Sequence, residues 1–158
     1  MRSIAAGIIC ARLVGALFLY SAIMKLVGEG QVRGILLSGE PLFASIIVEQ
    51  GLVPANAAHG VAWGVIAGET ALAALLLLER LPRVPLIIAG AFTLCLTGYM
   101  IWVHWRIGVV ACGCLGSAAP TPLHLLLTRN LSVVALCGWG IAAIACRDPV
   151  GGKAVPAV

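Results

Sequence analysis

Two thiols separated by a single glycine, Cys112-Gly113-Cys114, stand in the stretch "VVACGCLGSAAPTP" at residues 109–122. A disulfide needs Cα atoms about 4.4–6.8 Å apart. Residues two apart in an extended chain lie at or beyond the upper end of that range, at roughly 3.3–3.6 Å per residue. Closing Cys112 onto Cys114 therefore requires a bend, which Gly113 permits because it lacks a Cβ. The small ring that results is strained, and strained disulfides are easily reduced. Gly116, Pro120 and Pro122 keep the flanking chain out of helix. The motif thus reads as a redox pair and makes a poor structural staple. Two other chemistries stay open. The thiolates suit a soft metal such as Cu(I), Zn(II) or Hg(II), with His104 and His124 completing the ligand set. Alternatively the two cysteines are small residues in a loop that only docks a partner.

A second set of chemical residues is charged. Arg12 and Glu69 are the deep charges of otherwise apolar stretches, where ionisable groups are costly and are paired or functional. Arg12 lies eight residues into the first stretch and Glu69 nine residues from the end of the second, or about 12 and 13 Å at 1.5 Å per residue. Equal depth predicts a buried Arg12–Glu69 pair. It would either fix helix register or serve proton or quinone head-group chemistry. Lys25, Arg106 and Arg129 fall near the opposite boundary. Cations there would favour the reactive thiolate, or act as snorkelling anchors.

The elements that must position these groups are membrane helices. Of 158 residues, 61% are hydrophobic and only 10% charged, with a mean hydropathy of +1.09. Soluble domains carry about 25% charged residues. The net charge of +4 is small, and no basic patch is interleaved with aromatics, which excludes nucleic-acid binding. Spans of about 20 apolar residues are predicted at 4–27, 59–78, 84–105 and 129–146, the last extended backwards by "LHLLLT". This is an all-α integral membrane four-helix bundle, one domain over residues 1–147 with a flexible tail at 148–158. Residues 28–57 are apolar but broken by Gly, Pro and Glu, and are expected to form an interfacial or re-entrant segment. Arg12 interrupts the first apolar run and no cleavage site comes after it, so the first span is read as an uncleaved helix.

Four spans put both termini on one side. Arg2, Arg80, Arg83, Arg147 and Lys153 lie there, against Lys25, Arg33, Arg106 and Arg129 on the other. Five against four places the termini in the cytoplasm. The Cys-Gly-Cys loop then lies outside an inner membrane, where thiol pairs can cycle. Cys10, Cys95, Cys137 and Cys146 fall within or at the ends of helices and read as packing residues.

Taken together, these segments resemble the DoxX-like four-helix membrane proteins and, within them, the MauE-type redox-associated branch. "ARLVGALFLYSAIMKL" is similar to the opening helix of that family, with its early Arg and closing Ser-x-x-x-Lys-Leu. "GVIAGETALAALLLL" is similar to its Glu-bearing second helix, and "ACGCLG" to its Cys-Gly-Cys-Phe-Gly loop, with Leu115 replacing Phe. "TPLHLLLTRNLSVVAL" resembles the family's segment after that loop. The resemblance implies a thiol-disulfide oxidoreductase, or an accessory subunit of one, in which Cys112 and Cys114 exchange with an exoplasmic thioredoxin-fold protein. Membrane quinone, or a respiratory complex that the chain anchors, is a further expected partner, the quinone by analogy with other disulfide-forming membrane enzymes.

Overall fold

The computed structural model describes residues 2–32, 34–51, 53–78, 83–108 and 122–145, with side chains from Ala5 onward. Helix α1 (Arg2–Val27) has no proline and runs without a break for 26 residues. A hairpin packed directly against its last turn fixes where it ends. This two-stranded antiparallel hairpin, β1 (Glu29–Val32) and β2 (Ile35–Ser38), pairs Glu29 with Ser38 and Val32 with Ile35. The Gly39 N–H donates to the Gly28 carbonyl at 2.7 Å and closes the hairpin base. Gly39 has φ +63° and ψ −141°, a conformation all but restricted to glycine. A Cβ there would lie 2.5 Å from the Leu26 carbonyl oxygen, so the hairpin folds directly onto the end of α1.

Helix α2 (Glu40–Glu49) starts with Pro41 in its first turn, where a missing N–H costs nothing. The other three long helices are α3 (Ala55–Leu78), α4 (Arg83–Ile107) and α5 (Leu123–Ala145). Helix α4 closes on Gly108, with φ +83° and its N–H bonded to the His104 carbonyl, a left-handed cap. At the opposite end, the Arg83 guanidinium donates to the Ile144 carbonyl at 2.8 Å. That ties the start of α4 to the last turn of α5.

Helices α1, α3, α4 and α5 are each long and apolar enough to cross a membrane. The chain is an all-α, multi-pass membrane bundle, as expected. In packing order it runs α3, α1, α5, α4. Ala11, Val14 and Phe18 of α1, Leu72, Ala73 and Leu76 of α3, Leu86 and Ala89 of α4, and Cys137 and Ile144 of α5 form the core. Lipid tails are as apolar as leucine, so close backbone approach and packing hold such helices together. Gly7 and Gly140 provide that approach: a Cβ on Gly7 would meet Ile144 Cγ1 at 2.5 Å, and one on Gly140 would meet Leu86 Cδ1 at 3.0 Å. Large apolar side chains such as Leu13, Ile87, Leu94 and Leu131 face outward, as a bilayer requires.

The boundaries differ from the sequence reading in places. Helix α3 starts at Ala55 and α5 at Leu123, because Pro54 and Pro122 accept the first helical N–H bonds. The segment between α1 and α3 holds a helix and also the hairpin, whose four-residue strands are too short to show a pattern in sequence. It packs against α3 through Ala44, Ile47, Ala58 and Ala62. The tail at 148–158, with Cys146 and Arg147, lies outside the described residues.

Candidate functional site

Lys25 occupies the last turn of α1. Helical side chains lean toward the N-terminus, and Lys25 accordingly reaches back one turn into the bundle. Its Nζ donates to Ser21 Oγ at 2.8 Å, to Glu69 Oε1 at 2.7 Å and to Glu69 Oε2 at 2.6 Å. An ammonium has three protons, and all three are used. The pair is buried, with side-chain exposures of 2% and 4%. The Phe43 ring of α2 lies 5.3 Å from Nζ and adds a cation–π contact. Helix α2 thereby covers the ion pair.

Arg129 of α5 is within electrostatic reach of both Lys25 and Glu69. Its guanidinium donates to Asn130 Oδ1 at 3.2 and 3.3 Å. The buried Asn130 amide donates to Thr97 Oγ1 of α4 at 3.0 Å, and Thr97 in turn donates to the Thr93 carbonyl at 2.7 Å. One charge cluster, Lys25, Glu69 and Arg129, is thus linked to a polar ladder on α4. All four spanning helices contribute to it.

This arrangement corrects the expected Arg12–Glu69 pair. The buried stripe of α1 runs through Ala11, Val14, Phe18, Ala22 and Lys25. Arg12 is one residue, about 100°, off that stripe and is exposed. Depth matched, but the face did not. Lys25 is likewise no snorkelling anchor, since it is buried. Arg106 is exposed and its guanidinium lies over the Trp102 ring at 5.1 Å. The sequence did carry a signal for Lys25, because it continues the apolar stripe at helical spacing and Ser21 precedes it by one turn.

Two cavities flank the cluster. One, of about 280 Å³, lies between α3 and α4 beneath α2 and is lined by Lys25 and Glu69. The other, of about 160 Å³, lies among α1, α4 and α5 and is lined by Arg129 and Asn130. Glu69 and Leu96 border both. Near the first cavity, Tyr99 donates to Gln50 Oε1 at 3.1 Å, just past the end of α2.

Among the described cysteines, Cys10 and Cys137 are buried and free, as packing residues should be, whereas Cys95 is free and exposed. Cys95 and Cys137 do not meet: the buried face of α4 runs through Ala89, Gly90, Thr93 and Thr97, and Gly90 faces Cys137. Cys112, Gly113, Cys114 and Gly116 lie outside the described residues. Gly108 and Pro122, the described residues on either side of them, lie at the bundle end that carries the hairpin and α2. His104 is half-buried three residues before the end of α4, and His124 is exposed as the second residue of α5. Among the described residues, no group of three His, Cys, Asp or Glu side chains forms a metal site.

Comparison with protein families gives a match over residues 3–143 to the family described as "Methylamine utilisation protein MauE". Neither the curated proteins nor the solved structures give a match.

Proposed function

The chain belongs to the MauE family, and from that premise we propose that it is a membrane component of thiol-disulfide exchange working through Cys112 and Cys114. The observation that carries this reading is the Cys-Gly-Cys motif itself. It sits inside the matched span, on a segment held at both ends by membrane helices. One thiolate attacks a disulfide sulfur of the partner, releases the partner's second sulfur as a thiolate and forms a mixed disulfide. The other cysteine then resolves it, leaving the partner reduced and Cys112–Cys114 oxidised. The reverse sequence oxidises the partner. The partner is an exoplasmic thioredoxin-fold protein, with the termini in the cytoplasm and the loop outside an inner membrane.

Single Cys112→Ser and Cys114→Ser variants test this in membranes that contain the partner. One of them should accumulate a mixed disulfide, visible as a reducible higher band. The unaltered loop should take two impermeant maleimides only after mild dithiothreitol. Thiols already free and no trapped band would refute exchange. His104 and His124, standing at the two anchors of the segment, favour one second reading, a soft-metal carrier. That reading requires stoichiometric metal binding lost on His104→Ala or His124→Ala. Retention of a partner complex by the doubly substituted Cys112→Ser/Cys114→Ser chain, with no exchange, would identify a non-catalytic anchor.

A further inference from the structure

We propose that the free edge of the hairpin, strand β2, receives an extended strand of the thioredoxin-fold partner by main-chain pairing. The register settles which backbone groups are free. Val32 pairs with Ile35 and Gly30 with Leu37, and the Gly39 N–H donates to the Gly28 carbonyl. These three pairs alternate along the ladder with the other two, so they are its hydrogen-bonded pairs. Leu36 and Ser38 occupy the non-bonded pairs, opposite Gln31 and Glu29, and their N–H and C=O groups point away from β1. Among the described residues, none of these groups has a hydrogen-bond partner. They form a row of two donors and two acceptors, the template that an added strand uses.

The two edges of the hairpin are not equivalent. Strand β1 carries Glu29 and Gln31 at its outward positions, whereas β2 is Ile-Leu-Leu-Ser, with no charge and no proline. Charge and proline keep exposed edges from pairing, and β2 has neither. Leu36 is 70% exposed. It shares its face with Glu29, Gln31 and Ser38, all exposed. A carboxylate is costly in hydrocarbon, so the surface that covers this face is protein and not lipid. The opposite face is fixed, with Val32 and Leu37 packed on Leu42 and Ile46 of α2. Gly39 closes the base against Leu26. The edge is therefore held in place before a strand arrives, which lowers the ordering cost of binding.

The place of the edge selects its occupant. Cys112 is four residues beyond Gly108, and four residues span at most about 14 Å. A protein bonded to Cys112 therefore comes close to the end of α4. Arg106 and Ile107 there form one wall of a groove whose other wall is Glu49, Gln50 and Gly51. From that wall α2 runs back to Gly39 and the end of β2, about 15 Å away at 1.5 Å per residue. A standard contact of about 800 Å² per partner is a disc of roughly 16 Å radius, wide enough to take in both. A four-residue strand makes only a short contact, which suits a partner that must leave after each exchange. That the added strand belongs to the exchange partner rests on the thiol-disulfide reading.

Docking can be tested apart from exchange. The Cys112→Ser/Cys114→Ser chain is expressed in its own host with p-benzoylphenylalanine in place of the exposed Ser38, and intact cells are photolysed. The adduct, read by peptide mass spectrometry, should be an exported thioredoxin-fold protein. Leu36→Pro removes one outward N–H and none of the hairpin's own bonds, and should lower the adduct at least five-fold. Gln31→Pro makes the same change on the β1 edge and should alter the adduct less than two-fold. Limited proteolysis between α1 and α3 should show the hairpin closed in both. An adduct with a second copy of this chain, an adduct with lipid alone, no adduct, or equal loss from both prolines would overturn the docking edge. Because this chain lacks both exchanging thiols, such a failure leaves the exchange reading standing. Failure to trap a mixed disulfide would leave the docking result standing.

Discussion

Neutralising the two ends of the buried ion pair should have unequal costs, and their combination should reverse a sign. Removing one partner of a buried pair costs about 3–5 kcal/mol, because the other charge is left uncompensated. The structure ranks the two removals. Lys25→Met leaves Glu69 with Arg129 still in electrostatic reach, so its cost falls near the low end, about 3 kcal/mol. Glu69→Gln leaves Lys25 without its carboxylate and under the repulsion of Arg129, so its cost falls near the high end, about 5 kcal/mol. In the Glu69→Gln background, Lys25→Met then removes an unpaired buried cation and should stabilise. The double variant should be more stable than Glu69→Gln alone. Thermal unfolding in nanodiscs, monitored by far-UV circular dichroism, measures all four corners of the cycle. For a chain of 158 residues, at about 2–4 °C per kcal/mol, the single variants should lose about 6–20 °C. Lys25→Met destabilising in both backgrounds, or costing more than Glu69→Gln, would refute the assignment of Glu69 as the shared counter-ion of two cations.

The same geometry makes two further outcomes testable. Arg12→Leu, on the exposed face of α1, should not destabilise in the same assay and should stabilise, since it removes a charge from an apolar helix face, whereas loss of a buried partner of Glu69 would cost about 3–5 kcal/mol. Gly39→Ala should destabilise by about 1–3 kcal/mol, the cost of a glycine-only backbone conformation. Its methyl would also strike the Leu26 carbonyl, and limited proteolysis between α1 and α3 should detect the released hairpin.

Much of the architecture was legible in the chain because the bilayer imposes it. A hydrocarbon slab requires about 20 apolar residues per crossing, and four such runs are countable by eye. The prolines and glycines that bound them are local signals: Pro54, Pro122 and Gly108 each act on the nearest turn. The Cys-Gly-Cys motif is local in the same sense, since its chemistry comes from two thiols and the glycine between them. The azimuth of each helix is different. Composition is apolar around the whole circumference of a membrane helix, so hydrophobic periodicity no longer tells the buried face from the lipid face. Ser21 and Lys25 share one face of α1, but it was the packing of α1 between α3 and α5 that turned that face inward and Arg12 outward, and so gave Glu69 its partner. Likewise, the gap between α3 and α4, with α2 laid across it, arises from which pairs of helices pack closely. That is decided by contacts such as Gly7 against Ile144, far apart in sequence, and not by any stretch of residues read alone.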